Sequence, residues 1–275
     1  MKKATNTLLG LILLSITQFS HADVAVLIHG YLGGTYSWNN TGITQQLNNK
    51  GWTYSGAYLS SPAGIQYFPA QNSETKPTNK TVLVNLPSQA PIVIQINILQ
   101  EALKQINNQY NDEPLILIGH SLGGVVARAV LTRNTINNAK TLISIASPHL
   151  GTPRVFQGIN ATNNSFPVSI VRSFFGGNTY RTAQRSRRLY HDLLPARAGT
   201  FLYWLNNQAH PDIAYYSVIR RNRYGFPGDN VVPGYSQDMN NVTALKGKSS
   251  NTTTPSYHNL TPQDGSIILG ILNKK

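Results

Sequence analysis

Hydrophobic and polar positions along this chain fall into short solid apolar runs separated by amphipathic stretches. VAVLIHG (24–30) is apolar without alternation and ends in glycine, which predicts a strand buried on both faces of a parallel sheet. A weaker strand is expected near 53–59, followed by a Pro/Gly/Asn-rich excursion over 61–80 and a further strand in TVLVNLP (81–87). Ile92, Ile96, Leu99, Leu103 and Ile106 recur at helical spacing, so 92–110 reads as an amphipathic helix that Asn-Asp-Glu-Pro brings to an end. The pattern then gives a strand at LILIG (115–119), a helix over 122–133, strands at TLISIA (141–146) and AYYSVI (214–219), and a closing helix over 263–272. Strands alternating with helices imply an α/β fold with a mostly parallel central sheet and helices on both faces.

Residues 153–210 interrupt the alternation. They mix Asn/Gly loops with the apolar residues Phe166, Ile170, Val171, Phe174 and Phe175 and a helix expected around 182–194. The segment reads as a cap inserted over the carboxyl ends of the strands. Its apolar residues would line a pocket or, equally well, form the cap's own core. With no internal repeat, 23–275 is expected to be a single domain.

Composition narrows this picture. At 275 residues and 40% hydrophobic content the chain can bury one large core. A basic start at Lys2 and Lys3, an apolar run from Leu8 to Ile16 and Ser20-His21-Ala22 before Asp23 have the form of a secretory signal peptide over 1–22, cleaved after Ala22; an uncleaved anchor is the alternative. The expected location is therefore periplasmic or extracellular. The absence of cysteine excludes disulfides, thiol nucleophiles and Cys-ligated metals. Net charge is +13, with Arg172, Arg181, Arg185, Arg187, Arg188 and Arg197 crowded together. Such a balance fits an anionic membrane surface or a merely solvated basic face. No nucleic-acid recognition motif accompanies it, so no nucleic acid partner is expected.

The candidate chemistry centres on Gly-His-Ser-Leu-Gly (119–123). This G-x-S-x-G pattern follows a strand and opens a helix, the setting that puts a serine on a strained, exposed elbow. Ser121 is the candidate nucleophile. Oxyanion donors are expected from the backbone N–H groups of Leu122, next after the serine, and of Tyr31 in His-Gly-Tyr-Leu-Gly-Gly (29–34), where Gly33 and Gly34 keep the loop close.

The base should be a histidine after the last strand, and His258 in SYHNLTP fits. His120 should point to the other side of the elbow, His29 should pack the oxyanion loop, His149 is a residue that could line the site, and His191 and His210 lie in or beside the insertion. The acid should follow the next-to-last strand. Asp229 in PGDNVVP does so and completes the order Ser, Asp, His; Asp238 is the substitute, and Asp212 lies at the wrong end of its strand.

Taken together, HGYLGG, GHSLGG, SPHLGTP, GDNVVP and the late SYH resemble α/β-hydrolases of the bacterial secreted lipase/esterase type, the triacylglycerol lipases and their esterase relatives. Residues 85–106, the elbow and Ala127-Arg128 extend the resemblance. It implies the α/β-hydrolase fold with a cap or lid, cleavage of carboxylic esters, lipid-like ones or phospholipids among them, and an acyl-enzyme on Ser121 without a cofactor. Leu260 stands where many such lipases place a calcium-binding aspartate, so no metal site is expected. The same triad could serve an acyltransferase, and the same fold a non-catalytic envelope- or lipid-binding protein.

Overall fold

The computed structural model describes residues 22–71, 79–133, 136–162 and 179–274. The segment expected to be a signal peptide, and Phe166, Ile170, Val171, Arg172, Phe174 and Phe175 of the insertion, lie outside the described residues. An eight-stranded sheet runs β3-β2-β4-β1-β5-β6-β7-β8, with β1 Val24–Ile28, β2 Trp52–Ser61, β3 Gly64–Pro69, β4 Asn79–Asn85, β5 Leu115–His120, β6 Ala139–Ile145, β7 Ala214–Arg221 and β8 Ser249–Pro255. All neighbouring strands are parallel except β2 and β3.

The solid apolar runs are explained by two cores. Val24, Val26 and Ile28 of β1 and Leu115 and Leu117 of β5 face one. Ala25 and Leu27, with Ile116 and Ile118, face the other. The first is closed by α3 (Ile92–Gln109) and α4 (Leu122–Leu131), the second by α1 (Tyr36–Asn40), α2 (Ile43–Asn48) and the C-terminal helix α10 (Pro262–Leu272). Both faces of the central strands are therefore covered, as a parallel sheet requires.

The structure adds elements that the pattern hid. Part of the excursion after β2 folds back as β3, an antiparallel hairpin strand. The edge strand β8, SSNTTTP, buries only Thr254, and an edge strand without a buried face carries no hydrophobic period.

Among the described residues the insertion forms α5 (Val155–Thr162), α6 (Thr179–Arg185), α7 (Arg187–Asp192) and α8 (Phe201–Asn206); the short α9 (Gly234–Gln237) follows β7. The single helix expected around 182–194 is broken at buried Ser186. Leu189, Tyr190 and Leu193, in and just after α7, stand above the carboxyl end of β1 beside Tyr31. The last helix of the insertion departs from the expected placement: α8 is tied to α4, where Arg128 Nη2 donates to Asn206 Oδ1 at 2.6 Å. Arg128 is fully buried, and burial lowers its pKa to about 9.

Candidate active site

The turn from β5 into α4 brings two backbones into contact. A Cβ on Gly119 would fall on the backbone of Gly124, and one on Gly123 on the carbonyl oxygens of Ile28 and His29. Only glycine lets the helix start this close to β1 and β5. Ser121, between them, has φ 51° and ψ −124°, a strained conformation for a residue with a Cβ. The serine side chain is thereby pushed out of the sheet into a cavity of about 610 Å³.

Ser121, His258 and Asp229 come from three different loops and meet there. Ser121 Oγ lies 2.8 Å from His258 Nε2, and His258 Nδ1 donates to Asp229 Oδ2 at 2.9 Å. The carboxylate is held from its other side as well. Its Oδ1 accepts the N–H groups of Val231 and Val232, both at 2.7 Å, and Oδ2 also accepts Gln237 Nε2 at 3.0 Å. Burial raises the Asp229 pKa, but the His258 hydrogen bond and charge and the two backbone donors outweigh it and hold the carboxyl below its usual value.

Asp238 is used elsewhere, accepting from the backbone N–H of Asn240 and from the side chain of Asn251. Asp212 lies before β7, at the opposite end of the sheet.

Tyr31 and Leu122 line the cavity with Ser121. Leu122 opens α4, where the first backbone N–H groups have no partner within the helix. The Tyr31 phenol is tied to the insertion, donating to Ser186 Oγ at 2.9 Å and sharing a 2.8 Å hydrogen bond with Tyr190. His29 packs the oxyanion loop from beneath. Its Nε2 accepts the Leu86 N–H, so its Nδ1–H donates to the Gly30 carbonyl, both at 2.9 Å.

Two histidines differ from expectation. His120 does not turn away from the site. It lines the cavity, stacks obliquely on His258 with centroids 5.4 Å apart and donates Nε2–H to the His258 carbonyl at 2.8 Å. Burial lowers its pKa to about 3, with His258 adding to the effect, so the imidazole is neutral and its N–H needs an acceptor. That carbonyl supplies it. His149 is fully buried away from the cavity, with Nε2 2.6 Å from Ser144 Oγ; Pro148 takes the lining position.

Spacing gave no sign of Gln237, Arg220 or Asp264. Gln237 accepts the Arg220 N–H while holding Asp229. The Arg220 guanidinium pairs with Asp264 and donates to the Asn259 carbonyl, one residue beyond His258.

Beyond these groups the cavity wall is apolar at Val155, Leu189, Leu193, Val231, Val232 and Leu260 and polar at Ser37, Asn40, Thr41, Thr152 and Asn259. Arg181, Arg185, Arg187, Arg188 and Arg197 are exposed and none lines it.

Residues 89–168 match the family model of the PGAP1-like alpha/beta domain. Among curated proteins, the chain is 32% identical over 115 residues to a GPI inositol-deacylase of Phaeosphaeria nodorum, covering 41% of this chain and 10% of that protein. It is 29% identical over 143 residues to the GPI inositol-deacylase of Coccidioides immitis, covering 51% and 10%. The match therefore spans about a tenth of these relatives' length.

Among solved structures, a gene product of Listeria innocua aligns with TM-score 0.62 at 16% identity, over 92% of this chain and 95% of that one. The mature lipase of Bacillus licheniformis aligns with TM-score 0.60 at 13% identity, over 92% and 91%. A phospholipase of Legionella pneumophila aligns with TM-score 0.54 at 14% identity, over 79% and 46%. The fold is that of the α/β-hydrolases.

Proposed function

We propose that this chain is an exported serine hydrolase that cleaves lipid-like carboxylic esters through an acyl-enzyme on Ser121, with Asp229 and His258 completing the triad. The observation that carries the reading is the Ser121–His258–Asp229 hydrogen-bond chain, 2.8 and 2.9 Å, opening into a cavity with an apolar wall at Val155, Leu189, Leu193, Val231, Val232 and Leu260. The relatives named as deacylases and the lipase and phospholipase among the structural neighbours support an acyl ester as the bond cleaved. Export rests on the form of the first 22 residues alone.

His258 Nε2 takes the Ser121 proton as Oγ attacks the ester carbonyl, and Asp229 stabilises the imidazolium and fixes its orientation. The tetrahedral oxyanion is held by the backbone N–H groups of Tyr31 and Leu122. His258 then delivers its proton to the leaving alcohol, freeing it and leaving the acyl group on Ser121. Water, deprotonated by His258, attacks that acyl-enzyme; the bond from the acyl carbon to Ser121 Oγ breaks, the carboxylic acid leaves and His258 returns the proton to Oγ. No step calls for a cofactor.

The test is hydrolysis of a chromogenic ester series from short to long acyl chains by wild type, Ser121→Ala and Asp229→Asn. Wild-type turnover, its loss in Ser121→Ala and a fall of roughly 10⁴ in kcat for Asp229→Asn are expected. Folded wild type that hydrolyses no member of the series, or Ser121→Ala that retains full turnover, would sink the reading.

A further inference from the structure

β7 and β8 leave the sheet side by side at the end that carries His258, and their last register pair is Arg221 with Pro255. The segments after the two strands therefore emerge at one corner of the molecule. After β7 the chain makes a tight turn that satisfies its own polar groups. Asn222 N–H donates to the Phe226 carbonyl at 3.0 Å and Gly225 N–H to the Asn222 carbonyl at 2.9 Å. Asn222 Oδ1 accepts the N–H groups of Tyr224 and Phe226, and Arg221 Nη1 reaches the Gly225 carbonyl at 3.1 Å. The turn is built to stand by itself.

The side chains it holds up are apolar. Tyr224 is 69% exposed, Phe226 67% and Tyr257, beside His258, 64%, the three most exposed large hydrophobic side chains among the described residues. A preorganised turn that presents large rings to water forgoes the stabilisation their burial would bring. Arg221 and Arg223 flank them and are exposed, with the Arg223 guanidinium 4.5 Å from the centroid of the Tyr224 ring. The acids on neighbouring elements do not offset these cations: Asp229 and Asp264 have buried side chains, engaged with His258 and Arg220.

Two tyrosine rings with polar edges and an apolar phenylalanine beside arginines match the boundary between headgroups and acyl chains, and cations next to them favour anionic lipid. The chain's +13 charge acts in the same direction at longer range.

We propose that the 222–226 turn and Tyr257 form a docking foot that seats on a bilayer bearing anionic headgroups and brings the cavity mouth to the lipid. The purpose of the foot rests on the lipid-ester reading of the site; the binding itself does not.

Binding is therefore measured without turnover, on Ser121→Ala protein, by co-sedimentation with vesicles of phosphatidylcholine alone or with 30% phosphatidylglycerol, about 0.3 mole fraction. All proteins share one N terminus, so differences between them report the substitutions. Preferential binding to the anionic vesicles is expected. Adding Tyr224→Ser with Phe226→Ser lowers the partition coefficient at least about tenfold, and adding Arg223→Gln lowers it roughly fivefold. Circular dichroism and gel filtration verify that the variants stay folded.

Absence of vesicle binding by the parent protein, or undiminished binding by the Tyr224/Phe226 variant, overturns the proposal. So does loss of binding only on Arg181→Gln with Arg185→Gln. Self-association that the turn substitutions abolish, without vesicle binding, would overturn it in favour of a second copy of this chain. Vesicle binding by a protein whose wild type cleaves no ester would leave the foot standing and remove the hydrolase reading; ester cleavage without vesicle binding would do the reverse.

Discussion

Arg220 and Asp264 meet as a fully buried two-pronged ion pair, Nη1 to Oδ1 at 2.6 Å and Nη2 to Oδ2 at 2.9 Å. The guanidinium also donates to Thr254 Oγ1 at 2.8 Å and to the Asn259 carbonyl at 3.0 Å. The carboxylate closes the capping box of α10 by accepting the Thr261 N–H at 2.7 Å. One pair thus ties β7, β8, the loop that carries His258 and the last helix together.

Breaking this pair leaves a charge buried without its counterion. Asp264→Ala is expected to cost about 3–5 kcal/mol of stability and to lower ester turnover as the loop after His258 loosens. Asp264→Asn, which can still cap α10, should lose less. Urea unfolding of both variants beside wild type checks this; an Asp264→Ala midpoint equal to that of wild type would show that the pair does not hold the loop.

Gly30 and Gly270 make a contrasting pair. A Cβ on Gly30 would sit 2.8 Å from Ser121 Cβ and 3.1 Å from the His120 carbonyl, whereas one on Gly270 meets nothing within 4 Å. Gly30→Ala should displace the oxyanion loop from the serine and reduce kcat/KM at least about tenfold, because small misplacements of reacting groups are costly. Gly270→Ala, on the exposed face of α10, should stabilise by about 0.5–1 kcal/mol and leave kcat/KM unchanged. Equal effects of the two on turnover would remove the steric argument.

Stability should fall on acidification well before the carboxylates titrate. Burial depresses His29, His120 and His149, His120 to about 3. In the unfolded chain these imidazoles take up protons near pH 6.5, and in the folded protein only below it, His149 well below and His120 at about 3. Between those limits the unfolded state binds more protons, so stability decreases as pH falls from about 6.5 toward 3. The slope is about 1.4 kcal/mol per pH unit for each histidine. Asp229, whose pKa is also lowered, adds stability above its unfolded value of about 3.9 that is lost as pH drops through its folded one. Urea midpoints at constant ionic strength between pH 7.5 and 4 check the profile; a flat curve from 7 to 5 would contradict the buried neutral histidines.

How much of this was legible depended on how local the determinant is. The runs at 24–30, 115–119 and 141–146 announce β1, β5 and β6 because strands covered on both faces must be apolar at every position. Ser121 stood out because its elbow needs glycines at fixed offsets, a requirement satisfied within five residues. Asp229 and His258 could be picked by their order along the chain, and the structure brings their side chains to 2.9 Å. β8 escaped because an exposed edge strand has no core to pattern it, and α1 and α2 were too short to show a helical period.

By itself, then, the sequence determined the alternation of strands and helices and the elbow, which rest on neighbours a few positions apart, and the residues able to surround the elbow, which follow from their order along the chain. Only the tertiary structure decided that His120 faces the site, that Gln237 clamps Asp229 and that Arg220 pairs with Asp264. Those contacts join residues 138, 8 and 44 positions apart, and no local period or spacing encodes which buried polar group will find which partner once the sheet has closed.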